Sequence, residues 1–159
     1  MTVSGNQSAP ITLCGPANAI IDGRGKSSIF HLNGANWWNL SGFQLTNGNK
    51  GLGLTNSNHN KIIALSIHDT DGASVHINTF SSDNVFDGLT LRHSGAEGFY
   101  VGSAKSNWCM YSKCKPDTCD RNIIRNNDIA TVDDEAIDIK EGTTGGQAIN
   151  NQIDGKRKN

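Results

Sequence analysis

The sequence has little proline, few aromatic residues and no long apolar run. Three prolines in 159 residues leave most of the chain free to donate backbone hydrogen bonds in strands. Aromatic residues make up only 6%, so a core has to be built mainly from aliphatic side chains. No segment approaches the roughly 18 apolar residues of a membrane-crossing helix. Neither sign of charge dominates, and a net charge of −1 gives no basic footprint for nucleic acid. The N-terminus lacks a basic stretch followed by an apolar one, so no signal peptide is expected within the chain, which reads as a mature form or part of a longer one. No long stretch shows helical periodicity. Disorder is excluded, because 35% of residues are hydrophobic and the net charge is small.

Glycine and asparagine are what the chain has in abundance. There are 18 glycines, against about 11 expected at ordinary usage. Asparagine recurs, in pairs such as Asn126-Asn127 and Asn150-Asn151. Both residue types tolerate the left-handed backbone region and so suit tight turns. Many turns without helices point to an all-β fold.

An internal repeat sharpens that reading. Each unit has a short apolar–x–apolar strand, an Asn-rich turn, a second apolar strand and a Gly or Asp turn. Phe30-His31-Leu32-Asn33, Leu52-Gly53-Leu54-Thr55, Val75-His76-Ile77-Asn78, Phe99-Tyr100-Val101-Gly102 and Ile137-Asp138-Ile139-Lys140 open successive units. The equivalent residues Leu32, Leu54, Ile77, Val101 and Ile139 step by 22, 23, 24 and 38 positions. One unit cannot bury its own apolar face, but stacked units share a core. The expected fold is a right-handed, single-stranded parallel β-helix of five to six coils, one domain over 1–159. An antiparallel sandwich also has short strands and turns, but it does not require one apolar phase over five units.

The long step contains Cys109, Cys114 and Cys119. A loop insertion at 103–121, closed by a local disulfide, is expected to bulge from the fourth coil. Zinc fits less well, since structural zinc sites favour closer cysteine pairs. Four cysteines allow three pairings, and the connectivity stays open. Cys14, in the run Ile11-Thr12-Leu13-Cys14, reads as a buried thiol. A disulfide implies an oxidising, extracellular setting.

Gly98-Phe99-Tyr100-Val101-Gly102-Ser103 and Glu135-Ala136-Ile137-Asp138-Ile139-Lys140-Glu141-Gly142, together with the repeats, resemble the pectate-lyase-like β-helix superfamily, and secreted microbial members in particular. The resemblance covers nearly the whole chain. It implies cleavage of uronic-acid polymers such as pectate by β-elimination, with Ca2+ helping to neutralise the substrate carboxylate. The fold also hosts hydrolases and inert adhesive proteins. Two other readings therefore stand beside the lyase. One is a non-catalytic glycan-binding or cell-surface module. The other is a glycoside hydrolase, which needs paired carboxylates about 5–9.5 Å apart.

The repeat also stacks the outward side chains into columns about 4.8 Å apart. One column is His31, Gly53, His76, Tyr100 and Asp138; the next is Asn33, Thr55, Asn78, Gly102 and Lys140. The preceding turns are acidic, and aligning Asp71-Gly72, Ala96-Glu97 and Asp134-Glu135 gathers carboxylates beside these columns. Lys140 is the expected base, with Tyr100 or His76 as proton donor or alternative base. Asp71, Glu97, Asp134, Glu135 and Asp138 are the expected Ca2+ ligands. Of Trp37 and Trp38, one should pack inward and the other stack on a sugar. Trp38 is assigned to substrate, with Asn78 and Glu141. The expected partner is an acidic polysaccharide, with no nucleic acid or membrane. The protein is expected to be a monomer, able to associate end to end, with the polar tail Lys156-Arg157-Lys158-Asn159 discouraging edge pairing.

Overall fold

Alternating apolar residues fold here into short parallel strands that stack coil upon coil. A computed structural model describes residues 1–155, so the polar tail lies outside the described residues. The first coil comprises β1 (Ile11–Cys14) and β2 (Ile20–Asn33). The second comprises β3 (Trp38–Ser41) and β4 (Gln44–Thr55). The third has β5 (Lys61–Ile63), β6 (Ser66–Thr70) and β7 (Val75–Asn78). The fourth has β8 (Val85–Asp87), β9 (Thr90–Ser94) and β10 (Phe99–Val101). The fifth has β11 (Ile123–Arg125), β12 (Asp128–Val132) and β13 (Ile137–Ile139). A partial sixth ends the stack with β14 (Gln147–Ile149) and β15 (Gln152–Asp154).

One sheet runs β1-β3-β5-β8-β11-β14. The other bends, because β2 and β4 run through a corner. The first half of β4 pairs with β6 and its second half with β7. From β7 the second wing continues through β10 to β13. All of these pairings are parallel, which makes the fold a parallel β-helix.

The interior is filled by stacked columns of apolar residues from each wing. Leu32, Leu54 and Ile77 form one, Leu40, Ile62 and Phe86 another, and Leu45, Ile67 and Leu91 a third; all nine are fully buried. At the far end of the stack, Ile139 and Ile153 continue two of these columns but are half exposed. Corners are held by buried polar ladders. Asn60, Asn84 and Asn122 bond one to the next through their side-chain amides, and Ser57 and Ser81 extend the pattern.

Two expectations about single residues are corrected. Cys14 is exposed: in β1, Ile11 and Leu13 take the inward positions, and alternation turns Cys14 outward. Trp38 is the tryptophan that packs inward, at 8% exposure, edge-on to Phe30 with its indole N–H donated to Val3 O. Its place at the start of β3, two residues before the buried Leu40, puts it on the core face. Trp37 is the partly exposed one, but its ring stacks on His59 at 4.4 Å.

The insertion between β10 and β11 is ordered and anchored. It carries one helical turn, Trp108–Tyr111 (α1), and the disulfide joins Cys109 to Cys114, leaving Cys119 a free, buried thiol. The fully buried carboxylate of Asp117 accepts from Thr79 N–H (3.0 Å), Phe80 N–H (2.8 Å) and the Ser103 hydroxyl (2.5 Å). Thr79 and Phe80 both have left-handed backbone (φ 54° and 62°), which turns successive N–H groups toward one anion. Asp117→Ala is expected to release the insertion while the stacked coils stay folded. Limited trypsin cleavage at Lys105 or Lys113 should accelerate about tenfold or more, the effect of roughly 1.4 kcal/mol of lost local stability.

Candidate functional site

The second wing of the bent sheet presents its outward columns as the repeat implies. Register places His31 beside Gly53, Gly53 beside His76, His76 beside Tyr100 and Tyr100 beside Asp138. In the next column Asn33, Thr55 and Asn78 are neighbours. Backbone hydrogen bonds from Gly102 N–H to Ile77 O and from Lys140 N–H to Val101 O carry that column on to Lys140. The three residues expected to be catalytic therefore share one surface. The His76 and Tyr100 rings lie 5.0 Å apart, and Lys140 Nζ sits 4.9 Å from the centre of the Tyr100 ring.

Three carboxylates gather beside them. Glu97, Glu135 and Asp138 each offer an oxygen within 4.8 Å of the other two. Asp134 is exposed and outside this group, although its charge acts on Glu97. Asp71 is also outside it. Gly95 N–H donates to Thr70 O and Ser74 N–H to Glu97 O, so the 24-residue step holds through this turn. Asp71 therefore stacks on Gly95, and Ala73, not Gly72, stacks on Glu97. The expected alignment was one residue out.

Electrostatics divide the roles. Lys140 is ion-paired with Asp138, and this contact holds its ammonium above the usual lysine range. That is the opposite of what a lysine base needs, so Lys140 serves better as a fixed cation. Burial pushes the Tyr100 phenol up, opposed in part by the Lys140 charge. Burial, with Asp134 and Asp138 nearby, raises Glu97. Burial and the nearby Lys50 cation depress His76 to about 4, so it is neutral at neutral pH.

This shift has a consequence for stability. Below its ordinary value of 6.5, His76 takes up a proton in the unfolded chain but not in the folded one until about pH 4. Folding is then favoured less as pH falls, and the contribution is fully present only above 6.5. Lys50 and His31 lower the folded value and Asp117 raises it. Urea unfolding across pH 7.5 to 4 should show this decline, and His76→Gln should flatten part of it.

The other expected contacts divide similarly. Asn78 is nearly buried, and its side-chain oxygen accepts from both Thr55 and Thr79 hydroxyls, which leaves its NH2 as the group available to a ligand. His31 Nε2 in turn lies 2.9 Å from Thr55 Oγ1. Glu141 is exposed just beyond Lys140. Trp38, being in the core, is withdrawn from the substrate set.

Two residues were missed. Lys50 lies with its Nζ 3.4 Å from His76 Nδ1. It was legible, since the repeat puts Lys50, Ala73, Glu97 and Glu135 in one column three residues ahead of the column of Gly53, His76, Tyr100 and Asp138. Tyr111, on the helical turn of the insertion, approaches the His76 ring edge-on at 6.4 Å. Nothing in the repeat could have located it, because the insertion has no counterpart in other coils.

No protein-family model matches the sequence, and no curated protein matches it. Among solved structures, an alginate lyase from Paenibacillus sp. str. FPU-7 superposes with a TM-score of 0.73 at 24% identity, over 94% of this chain and 62% of the lyase. The two share a fold. The chain thus spans less than two thirds of that lyase's length, and the likeness speaks to architecture alone.

Proposed function

We propose that the protein is a polysaccharide lyase that cleaves uronic-acid polymers, alginate or pectate, by β-elimination. The observation that carries this is the single outward face on which Tyr100 lies between the Lys140 ammonium and the His76 ring, beside three clustered carboxylates. The shared fold with an alginate lyase supports it. β-Elimination needs the substrate carboxylate neutralised, a proton removed from C5 and the glycosidic oxygen released from C4. Lys140, held charged by Asp138, supplies a fixed cation for the carboxylate. The Asn78 NH2 adds a neutral donor in the same column. Tyr100 is the proton-transfer group: the adjacent Lys140 charge favours its phenolate against the raising effect of burial, the phenolate takes the C5 proton, and the resulting phenol returns it to the departing oxygen as the C4–O bond breaks.

Ca2+ fits the carboxylate group. Glu97, Glu135 and Asp138 are hard oxygen donors whose crowding a dication would relieve. A bound Ca2+ would add positive charge where the substrate carboxylate arrives. The disulfide supports an extracellular location.

The test is ultraviolet absorbance of unsaturated uronate products from alginate, pectate and other acidic glycans, with and without Ca2+. Product release is expected on at least one of them. Glycan binding with no product would favour a non-catalytic module instead, and reducing sugar without unsaturation would favour a hydrolase.

A further inference from the structure

Lys50 reaches His76 through a slot the ladders leave open. The residue beside His76 on that side is Gly53, and the residue stacked on Lys50 is Ala73. Neither carries a side chain long enough to fill the space over the sheet, so the half-buried Lys50 runs across it to within 3.4 Å of His76 Nδ1. The imidazole is further bounded by the rings of Tyr100 and Tyr111. An ammonium only donates hydrogen bonds, and a neutral imidazole has one N–H and one acceptor nitrogen. With Nδ1 facing the ammonium, Nδ1 is the acceptor and the proton sits on Nε2.

We infer that Lys50 is a positioning residue that holds His76 as its Nε2–H tautomer, so that His76 donates a hydrogen bond to the substrate carboxylate and does not act as the base. The ligand's identity in this statement rests on the lyase reading; the tautomer does not. His76 and Asn78 stand two residues apart on β7 and point to the same side. The Nε2–H of one and the NH2 of the other form a pair of neutral donors, with the Lys140 cation in the Asn78 column. A carboxylate bound there is neutralised by one cation and oriented by two dipoles. A base at His76 would instead need a free Nε2 lone pair, which puts an N–H on Nδ1 against the Lys50 ammonium.

Long-range 1H–15N correlation spectra of histidine-labelled protein at neutral pH read the tautomer directly. The Nε2–H form is expected for His76 in the native protein, a mixture of tautomers in Lys50→Met, and recovery of the Nε2–H form in Lys50→Arg. Adding an oligomannuronate or oligogalacturonate tetrasaccharide should shift the Nε2 signal. In steady-state assays His76→Gln, which keeps an N–H donor, should raise KM more than it lowers kcat. A native Nδ1–H tautomer, or a kcat loss in His76→Gln as large as that of Tyr100→Phe, overturns the inference. If no glycan yields unsaturated product, the lyase reading fails, and the tautomer measured in the same samples still decides the role of Lys50.

Discussion

Replacing Tyr100 with phenylalanine is expected to lower the rate of unsaturated-product formation by about 10²-fold or more, the usual scale for losing a proton-transfer group. The substitution removes one oxygen and leaves the ring, so its contacts with His76 and with the Lys140 ammonium persist. Substrate binding should therefore survive, and the loss should fall on kcat. Lys140→Met is expected to be comparably damaging but different in kind. It removes the cation that neutralises the substrate carboxylate and leaves Asp138 without its partner. KM and kcat should both suffer, and Lys140→Arg should restore part of each. Equal activity in Tyr100→Phe and the native protein would remove Tyr100 from the mechanism. The hydrogen bond that Ala104 N–H donates to the phenol oxygen, at 3.4 Å, is too long to confound the result through stability.

The largest effect on stability is expected from Asn84→Ala. Asn84 is fully buried in the corner between β7 and β8. Its NH2 donates to Ser57 O and Asn122 Oδ1, and its own oxygen accepts from the backbone and side-chain nitrogens of Asn60. Alanine leaves the Asn60 backbone N–H and Ser57 O without these partners, and takes one of two bonds from the Asn60 NH2 and from Asn122 Oδ1. Each buried group left without a partner costs about 1–3 kcal/mol, so a loss on the order of 4 kcal/mol is expected after partial relaxation. That is a large share of the roughly 5–15 kcal/mol that keeps a domain folded. Denaturant unfolding should show it as a lower midpoint. By comparison, Asn58→Ala, at a partly exposed rung, should cost much less; equal losses at the two sites would mean that the ladder matters only locally.

These expectations separate two kinds of residue. The ladder of His31, Gly53, His76, Tyr100 and Asp138 was legible because a parallel β-helix makes sequence period and spatial neighbourhood the same thing. Any residue inside the repeat can be placed by counting, provided the count is right. The one-residue slip at Asp71 shows how little tolerance there is: the turn keeps the 24-residue step, and an alignment by acidic character rather than by step moved two carboxylates to the wrong neighbours. Lys50 was within reach of the same counting, at the head of the column that ends in Glu97 and Glu135.

Two tryptophans in a row show a different limit. Alternation says that one of Trp37 and Trp38 faces inward, but composition does not say which. The choice was made by the phase of β3, where Leu40 occupies the core column and carries Trp38 in with it. Lys140 shows a third. Its place on the face followed from the repeat, while the close contact with Asp138, which holds its ammonium above the usual lysine range, appears only in the folded chain.

The repeat by itself determined the fold, the register and the face on which chemistry is possible, because each follows from a period of 22 to 24 residues. Tertiary structure alone decided how the insertion sits, with Asp117 held by the Thr79 and Phe80 amides and Tyr111 brought to His76. It also decided which nitrogen of His76 faces Lys50 and which carboxylates come within 4.8 Å of one another. The physical reason is range. Period and alternation act along the backbone and are written in the order of residues. The insertion's docking and the pairing of charges depend on side-chain reach across coils, where an ångström changes a proton's address.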